Sequence, residues 1–328
     1  MTQQTIENAS RIGFNFRSAN ERVALGKTLK RPADLYRGLW YQGELAALYA
    51  DTNTGKSILA TQIADAVARR GFKTLYVDFE LTDKSAQLRA CDEETGDEYV
   101  FSENLHTLTV NFSRYFRTRT EADDEGFAIL DDIENYAREL GIEALILDNI
   151  TTICPTLENG EAAVRLVNRL LSLRDDNGWS VLFLAHTPKL DRTQPITVDS
   201  MAGSKRVISL IDSAFAIGKC LYDPDVRYIK QTKVRLDRAT FDENNVMTCQ
   251  IERRGGLLQF VDTGIERERD LLRTSNPAEK TVLEIQREKR EEFRREAKEL
   301  LDQGLSVADV AELMKVARNT IYRLKKTI

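Results

Sequence analysis

ELAALYADTNTGKS, residues 44–57, is the stretch whose reading decides the fold. The apolar run Ala46-Ala47-Leu48-Tyr49-Ala50 predicts a buried strand, and the polar residues after it predict a tight loop. Ile58, Leu59, Ile63, Ala66 and Val67 then recur at helical spacing. Strand, loop and helix in that order make a phosphate cradle, in which loop N–H groups and the helix N-terminus face an anion. Gly55 lets the backbone approach closely, Lys56 can reach the β- and γ-phosphates, and the Ser57 hydroxyl can ligate Mg²⁺. The candidate nucleotide-binding residues are therefore Asp51, Thr52, Asn53, Thr54, Gly55, Lys56, Ser57 and Ile58, with ATP and Mg²⁺ as expected ligands. The full pattern is G-x-x-x-x-G-K-[ST], and this chain departs from it at Ala50.

Outward from this stretch, short apolar strands alternate with amphipathic helices. Strands are expected at 46–50, 74–79, 105–110, 144–148, 181–186 and 213–217, and helices at about 56–70, 124–140, 160–175 and 202–211. This alternation predicts an α/β fold, a mostly parallel sheet with helices on both faces. Three further strands, 227–235, 247–253 and 257–261, predict an antiparallel extension at one edge. The expected organisation is an extension over 1–40 wrapping the core loosely, an α/β domain over 41–264, a linker and charged helix over 265–303, and a small helical module over 304–328. The net charge of −5 argues against a uniformly basic nucleic-acid coat but allows a local basic surface. Cys91, Cys154, Cys220 and Cys249 are scattered without metal-ligand spacing, which suggests buried thiols in a reducing compartment. No apolar run is long enough to span a bilayer and the N-terminus lacks a signal core, so a cytoplasmic protein is expected.

Acids recur at strand tips, where α/β sheets gather their ligands. Asp148 ends the apolar run 144–147 and is the candidate metal-supporting carboxylate, together with Ser57. In TLYVDFE, residues 74–80, Glu80 is the candidate for positioning the attacking water, with Asp78 as runner-up; one of the two could simply cap the next helix. His186 ends the strand 181–186 and could sense the γ-phosphate through a hydrogen bond.

The order Ala50-to-Ser57, Asp78-Phe79-Glu80, Leu147-Asp148, Ala185-His186 resembles that of RecA-like ATPases, and most closely the RepA-type hexameric replicative helicases of plasmids and mobile elements. The resemblance covers roughly 40–262. It implies a RecA-like sheet, Glu80 as the catalytic carboxylate and His186 as the γ-phosphate reader. A partition-type loop would need another Lys between Ala46 and Thr54, and none is present. The resemblance also implies a homo-oligomeric ring, a hexamer, whose active sites are completed by a neighbour. Lys233 and Arg235 in YIKQTKVR, residues 228–235, look like the Lys-x-Arg finger of such rings; an exposed basic edge strand is the plainer alternative. The loops 149–159 and 187–201, the latter with Lys189 and Arg192, would by the same resemblance line a channel for single-stranded DNA.

The C-terminus, LLDQGLSVADVAELMKVARNTIYRLKKTI over 300–328, predicts two short helices across the turn Lys315-Val316-Ala317. It resembles the C-terminal helix-turn-helix of resolvases, with Lys315 where a Gly is common. From Lys315 onward there is no acid. The second helix offers Arg318, Asn319, Thr320, Tyr322, Arg323, Lys325 and Lys326 to DNA bases and phosphates. A helical hairpin serving oligomer contacts is the alternative. Two functions follow: a helicase-like or DNA-remodelling ATPase of a mobile element, or an ATP-switched DNA-binding regulator or loader that does not unwind.

Overall fold

The computed structural model describes residues 16–117, 125–154, 160–187, 191–201, 205–273 and 282–327. Lys189 and parts of the expected loop 149–159 and linker 265–303 lie outside the described residues, as does the side chain of Lys326. In chain order the first elements are α1 (Ala19–Thr28), β1 (Asp34–Tyr36), β2 (Trp40–Tyr41), β3 (Leu45–Ala50), α2 (Lys56–Arg69), β4 (Thr74–Asp78) and α3 (Asp83–Ala90). Next come β5 (Leu105–Thr109), α4 (Phe112–Arg117), α5 (Glu125–Leu140), β6 (Ala144–Asp148), α6 (Ile150–Ile153), α7 (Gly160–Asn177) and β7 (Ser180–His186). The remainder are α8 (Lys205–Leu210), β8 (Ser213–Lys219), β9 (Val226–Lys233), β10 (Val246–Arg254), β11 (Leu257–Glu266), α9 (Glu268–Leu271), α10 (Val282–Asp302), α11 (Val307–Leu313) and α12 (Arg318–Thr327).

Nine strands form one sheet in the order β11-β10-β9-β8-β3-β7-β6-β4-β5. The strands β8, β3, β7, β6, β4 and β5 run parallel, and β9, β10 and β11 add antiparallel at the β8 edge. The fold is thus a RecA-like α/β sheet with an antiparallel extension, followed by an all-helical segment. β3 is central and wholly buried, because its alternate residues feed opposite cores: Leu45, Ala47 and Tyr49 join one, Ala46, Leu48 and Ala50 the other. The first core lies under α5 and α7, the second under α2. The chain leaves β3 and re-enters at β4, with β7 and β6 later filling the gap between them. That arrangement gathers the tips of β3, β4, β6 and β7 along one carboxyl edge.

Two segments are more integral than their sequence suggests. Leu35, Tyr36, Leu39 and Trp40 are buried in the second core, so only α1, which buries nothing, fits a loosely attached extension. Residues 265–272 fall in the expected linker. Yet Glu268 is fully buried, accepting from the Ile196 amide at 2.8 Å and the Tyr228 hydroxyl at 3.1 Å and pairing with Lys230, and Leu271 joins the first core. One buried carboxylate and Leu271, with Leu272 packed beside it, thus tie down a segment that is otherwise charged or exposed. The C-terminal helices have a small core of their own, Ala297, Val310, Ala311, Ile321 and Leu324.

Candidate functional site

The phosphate loop leaves β3 at Ala50 and enters α2 at Lys56. Asn53 (φ 57°) and Gly55 (φ 99°) are its left-handed positions. Gly55 is required twice over: a Cβ there would lie 2.6 Å from Ile251 Cδ1 and 3.0 Å from the Phe260 ring. Ala50, by contrast, is the last strand residue, paired with His186 and Ile217, and contributes only its carbonyl. That is why an alanine serves where the general pattern has glycine.

Lys56 is 8 % exposed. Its ammonium donates to the Ala50 carbonyl at 3.0 Å and the Asp51 carbonyl at 3.3 Å, and meets His186 Nδ1 at 3.1 Å. Burial lowers its pKa, opposed by the nearby Asp148, Glu80 and Asp51 carboxylates. Thr54 Oγ1 closes the loop onto the Asp51 carbonyl at 2.7 Å, and Thr52 donates its amide to Asp51 Oδ1. Ile58 sits in the first turn of α2 and packs against the second core.

A line of close polar contacts runs along the carboxyl edge. From Lys56, His186 Nδ1 leads to its Nε2, which meets Asn149 Nδ2 at 2.9 Å; the same amide nitrogen donates to Glu80 Oε1 at 2.6 Å. Asn149 is 1 % exposed, whereas Glu80 is exposed to solvent. Burial lowers the His186 pKa and the Lys56 charge lowers it further, so its ring is neutral near pH 7. Asp148 is 2 % exposed and accepts from the Tyr76 hydroxyl, with the Ser57 side chain nearby. Burial pushes its pKa up to about 6; the nearby Ser57 hydroxyl and the Tyr76 bond oppose this, and Asp78 and Glu80 add to it. Asp78 is occupied as a turn cap, accepting from the amides of Glu80 at 2.9 Å and Leu81 at 2.8 Å. Ser57 and Asp148 side by side offer two oxygen donors, which suits Mg²⁺, an ion that keeps most of its waters and shares substrate phosphates.

The structure does not bring Lys233 and Arg235 to this edge. β9 stops at Lys233, whose ammonium donates to the Ile211 carbonyl at 2.7 Å and to that of Ile208. Arg235 lies beyond the strand and pairs with Asp212 at 2.7 Å. Asp212 in turn accepts from the Leu45 amide, at the start of β3. Both cations therefore stand at the amino edge, roughly 16 Å along the strand direction from the phosphate loop of the same chain.

Three contributors escaped the sequence reading, and a fourth, Arg192, was read there only as a channel-loop residue. Asn149, directly after Asp148, had only its position as a signal. Tyr76 is a strand tyrosine whose hydroxyl needs a buried partner. Arg227 on β9 donates to the Thr54 carbonyl at 3.0 Å, and Arg192 pairs with Asp51 at 3.0 Å. Nothing local in the sequence marks either arginine as a neighbour of the loop.

At the C-terminus, Ser306 caps α11 reciprocally with Asp309, and Lys315 takes the left-handed turn position at φ 53°. Ile321 and Leu324 face inward on α12, and Arg318, Thr320, Tyr322, Arg323 and Lys325 are exposed, with Asn319 half-buried. Among the described residues no helix is long and apolar enough to cross a membrane.

A loop of this geometry on the central strand of a RecA-like sheet defines the class of P-loop ATPases. A family profile described as an AAA domain matches residues 14–192, more than half of the chain, and the chain belongs to that family. A second profile, the helix-turn-helix domain of resolvase, matches residues 289–327. No curated relative matches the chain. The AAA match ends at Arg192, so it spans the tips that carry Lys56, Glu80, Asp148 and His186 and leaves β8 to β11 outside.

Proposed function

We propose that the chain is a DNA-associated, ATP-hydrolysing protein, a RepA-like helicase or DNA-remodelling ATPase of a plasmid or mobile element, working as a homo-oligomeric ring. The observation that carries this reading is the line of close polar contacts Lys56–His186–Asn149–Glu80 across three strand tips, in a chain that ends in a resolvase-type helix-turn-helix. ATP phosphates compete with the Ala50 and Asp51 carbonyls for the Lys56 ammonium, while the loop amides and the α2 N-terminus hold the remaining oxygens. Ser57 and Asp148 would hold Mg²⁺, which would supply charge neutralisation to the bound phosphates. Glu80 orients the attacking water and accepts its proton. His186, neutral, can accept at only one ring nitrogen, from Lys56 or from Asn149, and the choice of tautomer links the phosphate site to Asn149 and Glu80. Lys233 and Arg235, out of reach of their own loop, serve the loop of a neighbouring subunit, giving up the Asp212 pair and the helix carbonyls as they do so. On this reading the ATPase domain spans about 41–264, a linker and charged helix follow over 265–303, and 304–328 bind DNA through Arg318, Asn319, Thr320, Tyr322, Arg323, Lys325 and Lys326.

One observation favours the alternative, an ATP-switched DNA-binding regulator or loader: Lys233 and Arg235 are satisfied within their own subunit, as suits a chain that works without a ring. ATP turnover with and without single-stranded DNA, with mass by light scattering in the same buffers, separates the two. Strong stimulation in a ring-sized particle supports the motor. Slow, DNA-insensitive turnover by a monomer or dimer overturns it in favour of the regulator.

A further inference from the structure

The helix-turn-helix is tethered to the ATPase body by two polar contacts, with the charged side chains of α12 still exposed above the clefts between them. Arg290 of α10 pairs with Asp223, between β8 and β9, at 2.7 Å, both side chains largely covered. Asn319, in the first turn of α12, donates to Asp92 Oδ2 at 2.9 Å. Beside these contacts lie two clefts. One, of about 500 Å³, has Asn319, Thr320 and Arg323 on one wall and a wall of mixed charge opposite, with Asp225 and Glu252 beside Arg227 and Arg253. The second, of about 1160 Å³, sets Arg318 and Tyr322 opposite Glu94 and Asp97. The side of α12 away from its own core, the side available to a DNA groove, thus looks at the ATPase body.

The part of the body opposite Arg318 and Tyr322 is an acidic turn, flanked by Arg253 and Arg254 and held in place by the hairpin that carries them. Residues 92–98 read DEETGDE, five acids in seven positions. The β10–β11 hairpin clamps this turn. Arg253 donates to the carbonyls of Cys91 at 2.7 Å and Leu88 at 2.9 Å. Gly256 lies so close that a Cβ would sit 2.7 Å from the Asp97 carbonyl and 2.8 Å from that of Ala90. A rigid row of carboxylates opposite basic side chains presents the charge pattern of a phosphate backbone.

We propose that the acidic turn 92–98, with the Arg290–Asp223 pair as latch, occupies the DNA-reading face of α12 and keeps this chain's DNA binding autoinhibited. The inference rests on reading α12 as the DNA-contacting helix. A cleft of 500 Å³ matches a small-molecule pocket, far too narrow for a duplex whose major groove alone must admit a whole helix. DNA and the acidic turn therefore exclude each other, and apparent affinity for DNA is reduced by the fraction of chains in the latched state.

The test uses the full chain and a labelled mixed-sequence duplex, titrated at fixed salt. Asp223→Asn with Asp92→Ser removes both contacts; each replacement keeps a side-chain oxygen for its own local turn, and serine is too short to reach Asn319. The double variant is expected to bind DNA roughly three- to tenfold more tightly and to show a larger radius of gyration by small-angle scattering. Glu103→Gln with Glu139→Gln removes the same charge from exposed sites away from α12 and is expected to leave affinity near wild type. Equal gains in both double variants, or unchanged affinity and size in the first, overturn the autoinhibition. Wild-type binding that survives Arg323→Ala, or no duplex binding by any variant, overturns the reading of α12 and the inference with it.

Discussion

Asn149 is the residue on which the site's geometry turns, since one amide nitrogen serves both Glu80 and His186. Asn149→Ala is expected to lower turnover about 10- to 100-fold while ATP affinity stays near wild type, because it releases the water-orienting carboxylate but leaves the phosphate loop intact. Steady-state kinetics beside equilibrium binding check this; an equal loss of affinity would point to a collapsed loop. His186 makes a pH prediction. Its pKa is depressed in the folded chain, so the unfolded chain binds more protons just below the free imidazole value, and stability falls as pH drops from about 6.5 toward the folded pKa. Asp148, raised to about 6, works the other way, gaining stability as pH falls through that value. His186→Gln removes only the first effect, so melting curves of the variant should fall less steeply on acidification than those of wild type.

Elements carry two further expectations. Lys315 ends α11 in the left-handed region without being glycine, which costs a bulky residue about 1 kcal/mol. Lys315→Gly is therefore expected to stabilise the C-terminal helices by roughly 0.5–1 kcal/mol, read by hydrogen exchange of α11 and α12; a loss would mean that the Lys315 side chain has a stabilising role of its own. Gly218 in β8 lies beneath Tyr228, and a Cβ there would stand 2.1 Å from the ring. Gly218→Ala should cost roughly 1–3 kcal/mol, seen as a lower Tm. The elements were largely legible in advance because their signals are local. β3, β4, β6 and β7 are apolar runs bounded by polar tips, and α2 and α12 carry clear helical spacing. The short elements were not: β1 and β2, with α3, α4 and α6, are two to eight residues each and are fixed by tertiary contacts such as burial of Trp40 and the Asn149 cap on α6. The same divide runs through the site. Lys56, Asp148 and Glu80 announce themselves at strand tips, whereas Arg227 meets Thr54 across 173 residues of chain, a pairing no local pattern encodes.

At the scale of the whole molecule, the amino-edge position of Lys233 and Arg235 makes the ring testable by mixing. Lys56→Ala subunits keep their fingers and lose their loop; Arg235→Ala subunits keep the loop and lose a finger. Each alone should be nearly inactive, and a mixture should regain turnover if fingers act across a subunit boundary; a mixture no more active than its parts would return Arg235 to a purely structural role beside Asp212. The central claim is that ATP is held through Lys56 and hydrolysed through Glu80. The most direct measurement is therefore ATP binding and turnover of the full chain beside Lys56→Ala and Glu80→Gln. The account predicts that Glu80→Gln binds ATP normally but turns over about 10²- to 10⁴-fold more slowly, and that Lys56→Ala loses both. Wild-type turnover by Glu80→Gln, or undiminished binding and turnover by Lys56→Ala, would contradict it.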